Sequence, residues 1–398
     1  MNIKNINIFN KINTSIKTIF IQKFISIYNT INICKQKKVN IFVIKNNIVY
    51  FKINSILNCL KNVKFDENSN LYIIDNASIL NKTYRYLTID DRKNIYYKGI
   101  IGDKKFNFDK NHKYYYNMNK LSEHIETLKI NDGRGKPDWK HRHHNNFRLF
   151  LKKSNIKDLD FNLNPFDLNW SILVPTFVKS RDINDEKKTV LLPLEKLYVP
   201  SFYINILNDD IPFNKKLNNC VYRGTNSGNF FYNHGTKRQS RKELVLRYRF
   251  HEKFDIGLSD ARYKNRDNVK FDYDIKKYVK KKISIKDQLK YKFIISVEGN
   301  DFATNLSWIL LSNSTVIMPK PTVLTWKIES ELMPYVHYIP VKNDFSDLEE
   351  KFNWCLNNLD KCEKIAIYSK LYALQFFDNE KEDKIITDVI KYYKSVLN

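Results

Sequence analysis

The sequence predicts an α/β protein of two domains, and three observations predict it. A chain of 398 residues is about twice the length of one ordinary domain, so each half is long enough to bury a core. Hydrophobic residues at 42% and aromatics at 14%, with 25 Tyr and 26 Phe, form a globular balance that excludes wholesale disorder. Short apolar runs alternate with helical patterns, most clearly after residue 205, where the boundary is placed. The division is 1–205, 206–375 and a terminal helix over 376–398.

Residues 1–33 mix Ile and Phe with Lys4, Lys11, Lys17 and Lys23, so no uncharged stretch of membrane-spanning length arises. The compact apolar core and small-residue cleavage site of a secretory leader are also missing. The segment reads as the first strand and helix of the fold, with an interfacial amphipathic helix as the other reading. Between 40 and 100, IFVIK, IVYFKI and LYIID read as strands among helical or turn segments. From 112 to 155 the pattern is helical and basic, ending in HRHHNNFRLFLKKS. SILVPTFV (171–178) and TVLLPL (189–194) are β-type runs around the polar KSRDINDEKK.

After 205, CVYRG (220–224) reads as a strand, SRKELVLRYRFHEK (240–253) as a helix and FDIGL (254–258) as a strand. YKFIISVEG (291–299) is an apolar run closed by glycine, ATNLSWILLSN (303–313) a helix of about three turns, and STVIMP (314–319) another strand. HYIPV (337–341) is followed by Ser346-Asp347-Leu348-Glu349, a capping box opening the helix DLEEKFNWCLNNL. Apolar strands separated by helices imply a mostly parallel sheet covered on both faces, so the C-terminal half is expected to be Rossmann-like.

Charge and cysteine usage narrow the chemistry. Sixty-eight Lys and Arg against 43 Asp and Glu give +25, a surface that attracts nucleic acid, acidic lipid or phosphorylated substrates. The cysteines at 34, 59, 220, 355 and 362 show no CxxC or Cys/His metal spacing, so a disulfide framework is not expected and a reducing, cytoplasmic compartment is.

In a parallel sheet the ligand crevice lies beyond the carboxyl ends of the strands. Glu298-Gly299-Asn300-Asp301-Phe302-Ala303-Thr304-Asn305 sits there, where Gly299 permits a sharp turn and amides at a helix start suit an anion. An ordinary capped turn is equally open on spacing. Tyr222-Arg223-Gly224-Thr225 leads through Gly228 and Gly235 to Lys237-Arg238-Gln239-Ser240-Arg241-Lys242. Four cations at a helix start oppose its dipole, a conflict a bound diphosphate would remove, although solvated charges in a basic protein also explain them. Lys179-Ser180-Arg181-Asp182 ends a strand, and a carboxylate there can take a proton from a hydroxyl; spacing alone favours a turn. His141, His143 and His144 with Asp138 lack metal-ligand spacing and read as a solvated or anion-binding face, and neither Asp209-Asp210 nor Asp182/Asp185 forms a D-x-D metal loop.

YKFIISVEGNDFATNLSWILLSNSTVIMPKP and YVHYIPVKNDFSDLEE, together with FVKSRDI, VLLPLEK and VYRGT, resemble the family-90 glycosyltransferases from about residue 140 to 375. The family includes lipopolysaccharide A type bacterial enzymes, fungal capsule-associated proteins and animal protein O-glucosyltransferases. E-G-N-D-x-A-T-N and V-H-Y-I-P-V are most like the bacterial branch, and residues 1 to about 110 carry no resemblance.

The resemblance implies a GT-B-like α/β fold, two Rossmann-like domains facing across a cleft. It also implies inverting, metal-independent transfer of a hexose from a nucleotide sugar, typically UDP-linked, with no cofactor. The acceptor would be a lipopolysaccharide, lipooligosaccharide or other surface glycan; a protein O-glucosyltransferase is the alternative. Carried over, the catalytic aspartate falls on Asp182, and the donor contacts fall on Arg223, Gly224, Thr225 (Thr where the family has Ser), Arg241 and Gly299 to Asn305. Animal members have arginine at Asn305, leaving a diphosphate contact to Lys237, Arg238 or Lys292, with Arg181 and Glu195 as further supports. Bacterial relatives often have proline at Asp182, so Glu195, Glu298 and Asp301 stand as alternative bases. The expected partners are the nucleotide sugar, a glycan or glycolipid acceptor and an anionic membrane surface bound peripherally from its inner face. A nucleic-acid-binding protein is the competing class; no RNP-like, helix-turn-helix or zinc motif accompanies the charge.

Overall fold

The structure, a computed structural model, describes residues 40–45, 48–52, 63–65, 71–73, 87, 89–97, 110–112, 114–128, 139–166, 174–184, 188–195, 206, 210–228, 240–260, 274–374, 376 and 379–397. The readings of residues 1–39, the boundary near 205, Lys237 and Arg238 lie outside the described residues.

Two antiparallel pairs come first: β1 (Asn40–Lys45) with β2 (Ile48–Lys52), and β3 (Val63–Phe65) with β4 (Leu71–Ile73). Helix α1 (Ile89–Tyr96), strand β5 (Tyr115–Tyr116), and helices α2 (Met118–Thr127) and α3 (Trp139–Lys153) follow. The stretch read as wholly helical thus contains a short strand. Asn117 caps α2 by accepting from the Lys120 amide at 2.9 Å. Strands β6 (Phe161–Asn164), β7 (Thr176–Val178) and β9 (Thr189–Leu191) are parallel, and β5 joins β6 antiparallel.

The C-terminal half matches its expected alternation. Strand β10 (Leu217–Thr225), helix α4 (Ser240–Tyr248), β11 (Phe254–Asp260), the single turn α5 (Ile285–Gln288), β12 (Tyr291–Ile295), the single turn α6 (Leu306–Ile309), β13 (Thr315–Met318) and β15 (Ile339–Pro340) form one unit. Its five strands are all parallel, in the order β11-β10-β12-β13-β15. Alternating side chains bury both faces: Val221, Ile294 and Val316 on one side, Tyr222, Phe293 and Ile317 on the other. Helices α7 (Leu348–Asn357), α8 (Leu359–Leu374) and α9 (Asn379–Leu397) complete the chain.

Two local expectations are corrected. The anticipated three-turn helix after Gly299 is helical only over Leu306–Ile309, because Ser312 Oγ donates to the Ile309 carbonyl and accepts from the Ser314 amide, turning the chain into β13. The expected capping box is not formed: Asp347 occupies the N-cap position of α7 without a side-chain capping bond, and its Oδ1 accepts instead from the Lys342 amide.

Several connections tie the halves together. Strand β8 (Ser180–Asp182) pairs antiparallel with β14 (Val323–Thr325), registering Asp182 opposite Val323. Helix α9 returns to the N-terminal half, where Tyr393 Oη donates to the Pro175 carbonyl at 2.8 Å. Glu382 takes both Nη atoms of Arg92 at 2.5 and 2.7 Å, with both side chains fully buried. Trp326 Nε1 also donates to Glu382, and the Trp326 ring stacks on Tyr96 at 3.9 Å.

A buried bidentate pair of this kind is costly to break from one side, because the remaining charge has no water to solvate it. Glu382→Ala is expected to lower stability by about 3 to 5 kcal/mol, with Arg92→Met plus Glu382→Leu recovering most of the loss. Urea midpoints check this; an unchanged midpoint for Glu382→Ala would contradict it.

Candidate active site

Counting only the five-stranded sheet, its order is second, first, third, fourth, fifth, so the connections leaving β10 and β12 depart in opposite directions. In a sheet of this kind that divergence places the expected ligand crevice at the carboxyl ends of β10 and β12. Arg241, in the first turn of α4, fills the gap between the two loops. Its Nη1 donates to Thr225 O (3.1 Å), Thr225 Oγ1 (3.2 Å) and Ser227 Oγ (2.7 Å). Its Nε donates to Val297 O and Glu298 O, both at 3.2 Å, and Nη2 to Val297 O at 2.9 Å. The dipole conflict expected of a cation here is thereby met by carbonyl oxygens of the protein itself.

Glycine lets the loops touch. Gly228 has φ +90°, and a Cβ on it would lie 3.1 Å from the Gly299 backbone. A Cβ on Gly299 would meet Ser227 Oγ at 2.7 Å and Arg241 Nη2 at 2.9 Å. The Gly228 amide donates to Asn300 Oδ1 at 2.8 Å. Gly224 is required because the hydroxyl of Tyr222 occupies the space of its Cβ, 2.2 Å away.

In the second loop Asn305 accepts from Ser296 Oγ at 2.9 Å and donates to the Ile295 carbonyl at 3.2 Å, anchoring the loop to the end of β12. The amides of Phe302, Ala303, Thr304 and Asn305 find no acceptor among the described residues. Phe302 and Ala303 are buried, and Thr304 is exposed. Asp301 Oδ2 accepts from Ser180 Oγ (2.8 Å) and pairs with Lys179 (3.0 Å), so the end of β7 meets this loop.

Behind that contact lies a buried charged cluster. Lys179 also stands 3.5 Å from Glu195, and His143 Nε2 stands 3.7 Å from the same carboxylate oxygen. Burial pushes the Glu195 carboxyl up, against the opposing pull of Lys179. Burial, then the nearby positive Lys179 and Arg142, hold His143 down to about 3, so it is neutral and its contact with Glu195 is no ion pair near neutrality. Burial also lowers the Lys327 ammonium, which Glu329 and Glu195 partly offset.

The structure therefore brings together Thr225, Arg241, Gly299, Asn300, Asp301 and the 302–305 amides, with Gly224 just below, and sets Glu195 next to them through Lys179. Asp182 lies on β8, half-buried, its Oδ1 accepting from the Asn184 amide at 3.0 Å. Three residues are placed elsewhere. Arg223 runs back along the sheet to Asp255 at 2.8 and 2.9 Å. Arg181 is buried against the Thr189 and Ile95 carbonyls, and Lys292 is held by the Lys216 carbonyl and Asn218 at the opposite end of β12.

The expected solvated histidine face is corrected: His143 and His144 are buried, bonded through Nδ1 to the carbonyls of Pro165 and Lys140. His143, Phe147 and Phe150 fall at helical spacing, the signal that places His143 inside. Lys327 gave no sequence signal. Among the described residues, no group of three His, Cys, Asp or Glu is arranged to hold a metal ion, and no helix is long and apolar enough to cross a membrane.

Comparison with known proteins bears on the same segment. The model of glycosyl transferase family 90 matches residues 204–398, which include β10, α4, β12 and both loops. Over this region the chain is similar to glycosyl transferase family 90. O-glucosyltransferase LpsA of Dichelobacter nodosus is 34% identical over 225 residues, 56% of this chain and 63% of that protein. Protein O-glucosyltransferase 2 of Danio rerio is 31% identical over 159 residues, 40% of this chain and 29% of its own. The uncharacterized protein 179R of Invertebrate iridescent virus 6 is 34% identical over 111 residues, 26% of this chain and 9% of its own. The chain thus spans less than two thirds of the length of each of these relatives. The switch-point loops lie wholly within the family-90 match, whereas Lys179, which contacts Asp301, lies outside it, as do Asp182 and Glu195.

The histidines generate a pH prediction. Both are depressed, His143 to about 3 and His144 to about 4, from an ordinary 6.5. The unfolded chain therefore takes up protons that the folded one excludes. Their contribution is complete above about pH 6.5 and is lost as pH falls toward 3, at about 1.4 kcal/mol per pH unit for each histidine. His143→Gln is expected to lose less stability than the parent between pH 7 and pH 5 in urea titrations. Parallel losses would contradict the assignment.

Proposed function

We propose that this chain is a glycosyltransferase that moves a hexose from a UDP-linked sugar to a hydroxyl of a lipopolysaccharide, lipooligosaccharide or other surface glycan, with inversion and without a metal. The observation that carries the reading is the switch-point crevice within the family-90 region, where Arg241 binds both loops and the 302–305 amides remain unspent. The proposed arrangement is GT-B-like: two Rossmann-like domains, with the N-terminal parallel strands β6, β7 and β9 supplying the acceptor side.

In this scheme the diphosphate lies against the 302–305 amides and the Arg241 side of the crevice. The acceptor oxygen attacks the anomeric carbon from the face opposite the diphosphate. A carboxylate takes its proton, the carbon–oxygen bond to the diphosphate breaks, and UDP carries away the electron pair. Fixed N–H donors favour the charge that develops on the leaving group. Arg223, spent on Asp255, has no part in it.

Asp182 is taken as the base on the family resemblance of Lys179-Ser180-Arg181-Asp182 and on its partial exposure at the end of β8. Among the alternatives, both oxygens of Glu298 accept hydrogen bonds from Thr322 and Val323, Asp301 Oδ2 is held by Ser180 and Lys179 in a buried position, and Glu195 stands 3.5 Å from the Lys179 ammonium. Similarity to a protein named protein O-glucosyltransferase supports a second acceptor class, a hydroxyl on a folded protein. Attachment to the inner face of a cytoplasmic membrane through the +25 charge belongs to the same proposal.

UDP is expected to raise the melting temperature equally with EDTA or Mg²⁺. Arg241→Ala should weaken UDP affinity by roughly ten- to a hundredfold, while Asp182→Asn should keep UDP affinity and lower transfer by about 10² or more. Loss of the UDP shift on chelation would refute metal independence, and near-parental transfer by Asp182→Asn would refute the base.

A further inference from the structure

Glu298 closes the apolar run of β12, in the position from which a carboxylate would be expected to face ligand. Its side chain turns instead to another strand. Oε1 accepts from the amides of Thr322 (2.8 Å) and Val323 (3.0 Å), and Oε2 accepts from Thr322 Oγ1 at 2.5 Å. These two residues lead into and begin β14. Val323 registers opposite Asp182, and the Ile183 amide donates to the Thr322 carbonyl at 2.9 Å.

Among the described residues, the β8–β14 ladder has three residue pairs and no further strand on either side. A two-stranded pairing this short is marginal by itself, so its placement depends on anchors at its ends. Glu298 is such an anchor, with one carboxylate gripping two consecutive amides and a hydroxyl through charge-assisted bonds. The same residue's carbonyl accepts from Arg241 Nε at 3.2 Å. One residue therefore joins the guanidinium that binds the two loops to the strand that sets Asp182.

We infer that Glu298 is a positioning residue that passes the set of the donor loop to Asp182, so that the acceptor-side carboxylate is aligned only when the Arg241 crevice is formed. The inference rests on the reading of Asp182 as base. It assigns Glu298 no proton transfer: all of its action runs through Thr322, Val323 and the β8 backbone.

A double-mutant cycle tests it, using the full chain, UDP affinity by calorimetry and UDP-glucose hydrolysis as the turnover probe. Glu298→Gln keeps the shape but turns an amide donor toward the Thr322 donors. It should lower kcat by about ten- to a hundredfold, the scale of an ångström-level misplacement, with UDP affinity within about twofold of the parent. In an Asp182→Asn background the same change should cost less than about twofold, because the residue it aligns is already disabled. Thr322→Val, which removes only the hydroxyl contact, should show the same dependence on background in milder form, and it carries the test should Glu298→Gln not fold. Equal losses in both backgrounds would overturn the inference, as would a kcat loss explained wholly by weaker UDP binding. The Asp182→Asn arm separates the two claims: parental turnover there removes the base, whereas a large loss there with equal Glu298 effects removes only the coupling.

Discussion

Six hydrogen bonds from the guanidinium of Arg241 to oxygens of two loops decide the geometry of the crevice. A parallel sheet in this order leaves its first and third strands with diverging connections, and divergence alone makes an open gap. The guanidinium suits the task because its rigid planar fork presents five N–H groups and keeps its charge at any working pH. Around it Gly228 and Gly299 admit backbone contact that any side chain would obstruct, and Asn305 spends its amide on the end of β12. The two loops thus behave as one wall, with the unspent 302–305 amides beside it.

The N-terminal half is fastened to the C-terminal half at separate places. Lys179 and Ser180 share one oxygen of Asp301, the β8–β14 ladder runs next to them, and helix α9 buries Glu382 against Arg92. Buried charges are poor sources of net stability, since desolvation offsets most of their attraction. They are effective at penalising misplacement, because a displaced partner leaves an unsolvated charge behind. The Arg92 and Lys179 contacts therefore define how the two halves meet more than how strongly they hold.

The sheet was legible because its strands are buried on both faces and so appear as unbroken apolar runs: CVYRG, FDIGL, YKFII and STVIM each coincide with a strand. The loops were legible as sites through their glycines, in a chain that has only 9. What escaped was side-chain direction. Arg223 belongs to the right strand, yet Asp255 on the neighbouring strand draws it away from the crevice. Glu298 reads as a ligand-facing carboxylate until β14, distant in sequence, claims it. His143 and His144 look basic and solvated in a run of cations, but their helix turns them inward onto Pro165 and Lys140 carbonyls. The helix after Gly299 is cut short by Ser312, a competition between side chain and backbone that helical periodicity does not register. Pairings across more than a hundred residues, such as Ser180 with Asp301, leave no local trace.

The central claim is that nucleotide binding occurs between the loops joined by Arg241. Amide hydrogen–deuterium exchange of the full chain, with and without saturating UDP, tests it directly. The account predicts slower exchange on UDP binding in peptides covering 224–228 and 299–306, with the β12 and β13 strands unchanged. UDP binding that leaves both loop segments at their free exchange rates, or that protects only the N-terminal half, would contradict it.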